Sequence, residues 1–268
     1  MLRAYIANME LQGILIFATE QRPSLAKEGG AIITTGHYIH NYPLIYGLSG
    51  RSTESYAVIP SLHFLSYPDL EKSPFKPKLA REPLHYGFIE IQLENLLNGK
   101  ESMYAFPAFP QRVTPKKFFM QAKGSGYAEF RGALKVVYPR LVHYVALIPP
   151  TEFKTIILVN NIELPRVLYM RIGMKRMGLF KVHLKRADIC EKIKSLTWTN
   201  IPVNLYDTEL FGYKLVDVMK VLETHSKARD KLLASTIGYA RVRELFLIKS
   251  GREEYRVPLP LKLMEATA

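Results

Sequence analysis

The apolar residues of this chain come in runs the length of a β-strand, and that limits what it can fold into. Ile156 to Val159 and Leu245 to Ile248 are such runs, and Phe88-Ile-Glu-Ile-Gln-Leu93 alternates apolar and polar residues. Both patterns belong to strands, the first buried on two faces and the second on one. No run approaches the roughly 18 apolar residues that a membrane-crossing helix needs. Residues 2 to 18 alternate in part, with Ala4, Ile6 and, after a slip, Met9 and Leu11 on one side. They read as a long strand with a bulge at Gly13. They do not read as a signal peptide, because Asn8, Glu10 and Gln12 interrupt any apolar region before Ile14.

Further strands are expected at 136–148, 155–159, 167–171 and 179–184. Tyr239 to Ile248 and Glu254 to Leu259 flank Lys249-Ser-Gly-Arg252, the pattern of a hairpin and its turn. A short helix is expected after Gly36, carrying Tyr38, Tyr42, Ile45 and Tyr46 on one side, with Pro43 marking a break or a start. The best helical periodicity lies at 208–234, where Leu210, Tyr213, Leu215, Val218, Val221, Leu222 and Leu232 recur at three- and four-residue spacing. Residues 60–83 hold five prolines together with Lys72, Lys76, Lys78 and Arg81, and 106–131 is a second proline-bearing, basic stretch. Both read as extended insertions. The class is therefore α+β and strand-rich, with one substantial helix.

Charge narrows the function. The 37 basic residues exceed the 24 acidic ones, a formal net charge of +13, which suggests a polyanionic partner, most simply nucleic acid. From Arg166 to Arg186 there are seven basic residues (166, 171, 175, 176, 181, 185 and 186) and no acid. Gly173 and Gly178 within this stretch would let backbone approach a bulky ligand, and the cations beside them could neutralise phosphates. The plainer reading is a hairpin with a solvated basic face. A second stretch holds Arg112, Lys116, Lys117, Lys123, Arg131 and Lys135 against Glu129, interleaved with Phe118, Phe119 and Tyr127. Cations with flat apolar rings suit single-stranded nucleic acid; equally, those rings could feed a core.

Motifs for catalysis are missing. His37 and His40 stand three apart with no acid between them, so the zinc-protease helix pattern is absent and packing is the better reading. The sequence has no phosphate-binding Walker motif, dinucleotide fingerprint or serine-nucleophile elbow. Cys190, the single cysteine, excludes internal disulfides and reads as a small buried residue in a cytoplasmic protein. No cofactor or metal is expected. A metal-independent ribonuclease could still be assembled from scattered His, Tyr and Lys, since acid–base chemistry leaves no linear motif.

Three segments, in order, resemble a known family: Ile-Phe-Ala-Thr19, then Tyr38-Ile-His-Asn-Tyr-Pro-Leu-Ile-Tyr-Gly47, then Tyr169-Met-Arg-Ile-Gly-Met-Lys-Arg-Met-Gly-Leu-Phe-Lys-Val182. They are similar to the Cas-five subunit of type I-D CRISPR complexes, the Csc-one family, over residues 1 to 190. The resemblance implies a ferredoxin-like, RRM-related (RAMP) antiparallel sheet with helices on one face. A thumb hairpin would be inserted at about 60–130, and a C-terminal helix and hairpin over 191–268 would complete or extend the domain. It implies a non-catalytic subunit of a type I-D CRISPR (Cascade) effector complex in antiviral defence. Such a subunit binds the five-prime handle of the crRNA and caps a Cas-seven-type backbone. It contacts the Cas-ten-type large subunit where target DNA and its PAM arrive.

On this chain the resemblance points to Arg171, Lys175, Arg176 and Lys181 as handle contacts, with Arg166, Lys185 and Arg186 beside them. Lys116, Lys117 and Phe118 would be the thumb contacts. His40, Asn41 and Tyr42 would support the loop. The main competitor is a Cas-six-like metal-independent endoribonuclease that cuts repeat RNA, although its glycine-rich loop usually lies close to the C-terminus. A general RNA-binding module is another. A peripheral membrane protein fits poorly, because the basic segments are not amphipathic helices.

Overall fold

The structure is a computed structural model, and it describes residues 2–16, 31–49, 102–122, 140–173, 177–222 and 237–259. In chain order the elements are β1 (Leu2–Leu11), β2 (Ala31–Thr34), α1 (Asn41–Ser49), β3 (Ser102–Ala105), β4 (Phe109–Arg112), β5 (Pro115–Ala122), β6 (Arg140–Leu147), β7 (Glu152–Asn160), β8 (Val167–Ile172), β9 (Gly178–Ile193), β10 (Thr197–Trp198), β11 (Val203–Asn204), α2 (Leu205–Leu210), β12 (Asp217–Leu222), β13 (Ile237–Val242), β14 (Leu245–Ser250) and β15 (Glu253–Val257). The described chain is mostly antiparallel sheet with few helices.

The largest sheet has eight strands in the order β15-β14-β9-β1-β7-β3, with β4 also on β7 and β8 also on β9. Its centre is apolar on both faces. Ala4 to Ala7 of β1 and Thr155 to Asn160 of β7 are all buried. Nine consecutive residue pairs join these two strands, from Leu2–Asn160 to Glu10–Glu152. The first half of β9 alternates instead. Gly178, Phe180, Val182 and Leu184 are buried, while Leu179, Lys181, His183 and Lys185 reach the surface. The inward set packs with Met9 and Phe153, and the Phe153 and Phe180 rings meet edge to face at 6.0 Å. Each large side chain fully buried here contributes roughly 1.5–3 kcal/mol.

Beyond residue 187 the strand keeps going, and β14 takes over from β8 along its edge, from Lys249–Asp188 to Leu245–Ile193. The Lys249–Arg252 turn then returns the chain as β15, with Gly251 at φ 64°. A four-stranded sheet centres on β13, with β12 on one edge and β10 and β11 on the other. A three-stranded sheet places β6 between a parallel β2 and an antiparallel β5. It joins the first strand's continuation through reciprocal Leu15–Leu147 backbone bonds, both 2.9 Å.

The short helix after Gly36 is α1. Pro43 sits in its first turn, where a missing N–H costs nothing. Three expectations are corrected. The helix over 208–234 is overturned in its described part: α2 ends at Leu210, Gly212 takes φ 92°, and 217–222 is strand. A glycine at positive φ ends a helix readily, and Val216, Val218 and Val221 are β-branched residues that favour a pleated surface. The single strand over Tyr239–Ile248 is two strands, split at Arg243-Glu244, which belong to different sheets. Cys190 is exposed, because β9 has by then run past the packed centre of the sheet. Phe88–Leu93 and residues 60–83 lie outside the described residues. Of the window assigned to an insertion, 102–112 forms the β3 and β4 edge of the large sheet, and 115–122 forms β5.

A buried polar cluster ties the four-stranded sheet to the large one. The Asp207 carboxylate of α2 accepts from Asn41 Nδ2 at 2.6 Å and from the Tyr104 hydroxyl at 2.8 Å. Asn204 Nδ2 donates to Asn41 Oδ1 at 3.2 Å, and its own Oδ1 accepts from the Asp207 backbone N–H. All four residues are almost fully buried, and the Tyr104 ring packs edge-on against Phe106 and Phe211. Burial, then the Asp207 charge and the hydrogen bond to it, hold the Tyr104 hydroxyl well above its ordinary pKa. It therefore remains a donor. A carboxylate without water must be satisfied by donors of this kind. Asn41→Ala strips three of the cluster's hydrogen bonds, those to Asp207 and the Tyr104 hydroxyl and the one from Asn204, and leaves buried polar groups short. It is expected to cost about 1–3 kcal/mol, read as a lowered urea midpoint, with Tyr104→Phe giving a loss of similar size.

Candidate nucleic-acid interface

The alternation of β8 and β9 sorts the basic cluster onto two faces. Leu168, Met170 and Ile172 of β8 share a face with Phe180 and Val182 and turn inward. Val167, Tyr169 and Arg171 turn out, beside His183, Lys181 and Leu179 of β9. On β1 the same rows continue with Asn8 opposite His183, and Glu10 opposite Lys181. Lys185 stands one further row along. The result is an open sheet face with Tyr169 at its edge, 63% exposed, and Arg171, Lys181 and Lys185 around it.

Several cations elsewhere on the molecule are paired with acids. Lys192 pairs with Glu244 at 2.8 Å, Lys249 with Glu254 at 2.9 Å, and Lys154 with Glu253 at 2.5 Å. Among the described residues, Arg171, Lys181 and Lys185 form no ion pair with a carboxylate. One imidazole on the same face does find an acid, since His183 Nε2 lies 3.5 Å from Glu10. The hydrogen bond from Lys154 holds the Glu253 carboxyl below its usual range, against a partial burial that pushes the other way. Lys185 also helps to lower Glu253 from a distance; cations that make no close ion pair can bind phosphates in water at modest desolvation cost.

The remaining site residues fall elsewhere. Arg186 pairs with Tyr5 and belongs to the other face, as does Arg166, whose carbonyl accepts from the Leu184 N–H. Both are exposed. Lys175 and Arg176 lie outside the described residues. Lys116, Lys117 and Phe118 are on β5, in the three-stranded sheet, where Lys116 Nζ sits 5.6 Å over the Phe118 ring. This pair forms a cation–π contact with a half-buried ring. His40 and Asn41 are buried, Asn41 in the polar cluster, and only the backbone of Tyr42 is described. α1 runs from there to β8, so close that a Cβ on Gly47 would meet Ile172 Cγ2 at 2.9 Å.

Gly173 and Gly178 do not leave room for a ligand, as the sequence suggested. Their space is taken by the chain itself. A Cβ on Gly178 would lie 2.6 Å from Leu15 Cδ1 and 2.9 Å from the Ile172 carbonyl. One on Gly173, at φ 84°, would lie 2.8 Å from Leu15 Cδ1 and 3.0 Å from the Ile16 carbonyl. The two glycines let the ends of the basic loop close onto residues 15–16. Four residues that matter in the structure lie outside the expected sites: Tyr169 on the open face, and Tyr104, Asn204 and Asp207 in the buried cluster. The period of two through Val167, Tyr169 and Arg171, against Leu168, Met170 and Ile172, already marks Tyr169 as outward-facing. Nothing local marks the other three, which meet only through the fold.

Among the described residues no cluster of His, Cys, Asp and Glu could hold a metal ion, and no helix is long and apolar enough to cross a membrane. The family model described as "Type I-D CRISPR-associated protein Cas5/Csc1" matches residues 2–229. No curated protein matches the chain. A solved structure described as "Crystal structure of a CRISPR protein from Archaeoglobus fulgidus" aligns with 97% of this chain and 100% of its own, at 10% identity and a TM-score of 0.40.

Two outcomes are expected. Gly178→Ala should destabilise the protein by roughly 1–3 kcal/mol through overpacking against Leu15, seen as a lower melting temperature. The depressed Glu253 carboxyl contributes stability that is complete above the usual carboxylate pKa and is lost as pH falls through its lowered value. For so exposed a pair the amount is under about 1 kcal/mol. Glu253→Gln should therefore narrow its gap to the wild type as unfolding is measured at progressively more acid pH.

Proposed function

The chain belongs to the type I-D Cas5/Csc1 family, and from that premise we propose that it binds the five-prime handle of the crRNA as a non-catalytic subunit of the effector complex. The observation that carries this reading is the open face of β8 and β9, where Arg171, Lys181 and Lys185 form no close ion pair, although Glu10 stands opposite Lys181 and Lys185 acts on Glu253, on the two strands that lead into and out of the basic glycine loop. Lys175 and Arg176, which fall between β8 and β9 in sequence, are proposed as further contacts. A ferredoxin-like core is supported by the order β9-β1-β7-β3, in which the first strand lies between two antiparallel neighbours and α1 links β1 to β3. β8 stands in the connection from β7 to β9, where a ferredoxin-like fold carries its second helix.

The capping role requires protein surfaces. We assign Val216, Val218 and Met219, on and beside the edge strand β12, to contacts with the Cas-seven-type backbone or the Cas-ten-type large subunit. The three side chains are 49%, 37% and 56% exposed; strand alternation sets Val218 and Met219 on opposite faces of β12, so the edge offers apolar groups to either side. In this reading the protein works in the cytoplasm, beside target DNA at the PAM, and needs no cofactor.

The test is binding of repeat-derived RNA by the full chain across a salt series. Arg171→Ala, Lys181→Ala and Lys185→Ala combined should leave the melting temperature unchanged and weaken binding steeply. Each lost phosphate contact should lower the slope of log affinity against log salt by about 0.7. The same affinity and slope in the triple variant would refute the assignment of this face, and cleavage of the repeat RNA without metal would refute the non-catalytic reading.

A further inference from the structure

We infer that Tyr169 is a stacking platform for one unpaired base of a single-stranded RNA, with Lys181 and Arg171 holding the phosphates on either side. The inference rests on the proposed RNA binding and adds to it a contact with a base. Four observations on the open face converge. Tyr169 is 63% exposed, the most exposed large apolar side chain among the described residues. It stands on a strand paired to β9 from Val167–His183 to Ile172–Gly178, so the ladder sets the face on which its ring lies. Its cross-strand partner is Lys181, and Arg171 is two residues along the same face. Its own strand turns Leu168, Met170 and Ile172 into the core, so its outward placement follows from packing and not from a mobile loop.

A ring beside two cations fits a nucleotide: the base has an apolar face to stack and the phosphates have charge to satisfy. The neighbouring Val167, 42% exposed, extends the apolar strip by one residue. The alternative occupant, an apolar protein partner, would be better served without two cations flanking the ring.

The experiment uses the full chain with two labelled probes: an octamer of adenylate and an octamer of the same length made of abasic ribose phosphate. The wild type should bind the adenylate octamer more tightly than the abasic one. Tyr169→Ala should weaken the adenylate octamer by about 5- to 150-fold, the range for loss of one base–aromatic stack. It should leave the abasic octamer within about twofold and the salt slope unaltered, since no phosphate contact is lost. Tyr169→Phe, which keeps the ring, should bind as the wild type does. A Tyr169→Ala variant that binds the adenylate octamer as tightly as the wild type would overturn the inference, leave phosphate binding by the face standing, and assign the ring to a protein neighbour. Absence of salt-dependent binding to either probe by the wild type would overturn the underlying reading as well. Because Tyr169 is exposed, an unchanged melting temperature is expected and separates these outcomes from misfolding.

Discussion

The pairing of β9 with β1 is the constraint on which the rest of the molecule depends. Eight residue pairs, from Ala4–Ala187 to Leu11–Phe180, fix its register. A slip of one residue would turn Phe180, Val182 and Leu184 into water and drive Lys181, His183 and Lys185 into the core. Burying three such groups without partners costs far more than any pairing could return. The layout of positive charge is thus a by-product of the apolar pattern. Hydrophobic side chains choose the register, and the register then sorts the cations, Lys181 and Lys185 to one face and Arg186 to the other. The same strand carries the other parts of the molecule: its start is closed by Leu15, and its far half supports the C-terminal hairpin.

How much of this could be read from the residues depended on range. β7 was legible from its continuous apolar run, β8 from its alternation, and β15 with the turn at Lys249–Arg252 from the apolar segments that flank Gly251. α1 was legible because Pro43 tolerates only a few places in a helix. Residues 208–222 misled because apolar residues three and four apart satisfy a helix on paper, while Gly212 and three valines satisfied a turn and a strand in the fold. Cys190 misled because burial was inferred from residue type, whereas its strand had outrun the core. The glycines of the basic loop were read correctly as sites of close approach, but what approaches is Leu15, some 160 residues away in sequence. No periodicity reports a partner at that distance.

The two basic stretches differ in what the structure does with them. In Arg166–Arg186, alternation splits the charges between faces and leaves Arg171, Lys181 and Lys185 beside an exposed ring. On β5, Lys116 caps the half-buried Phe118, so part of its charge is already engaged with an aromatic face. The Cas5/Csc1 family match spans both. It reaches residue 229 and so takes in α2 and β12, well past the 190 residues over which the sequence motifs ran. The extension agrees with the buried cluster, in which Asp207 and Asn204 complete an environment that Asn41 and Tyr104 begin.

That cluster has a consequence for how the chain can be made. Asn41 and Tyr104 are translated 166 and 103 residues ahead of Asp207, the carboxylate that receives them. The first strand likewise waits for β7 and β9 before either of its edges is covered. A nascent chain emerging from the ribosome therefore cannot finish its core as it goes. It must hold an uncovered central strand and two polar groups destined for burial until the last third has been synthesised. Topologies whose contacts are this distant in sequence close slowly, and the exposed interval is when such chains aggregate. The interlock that makes the finished protein one unit makes every unfinished version of it incomplete.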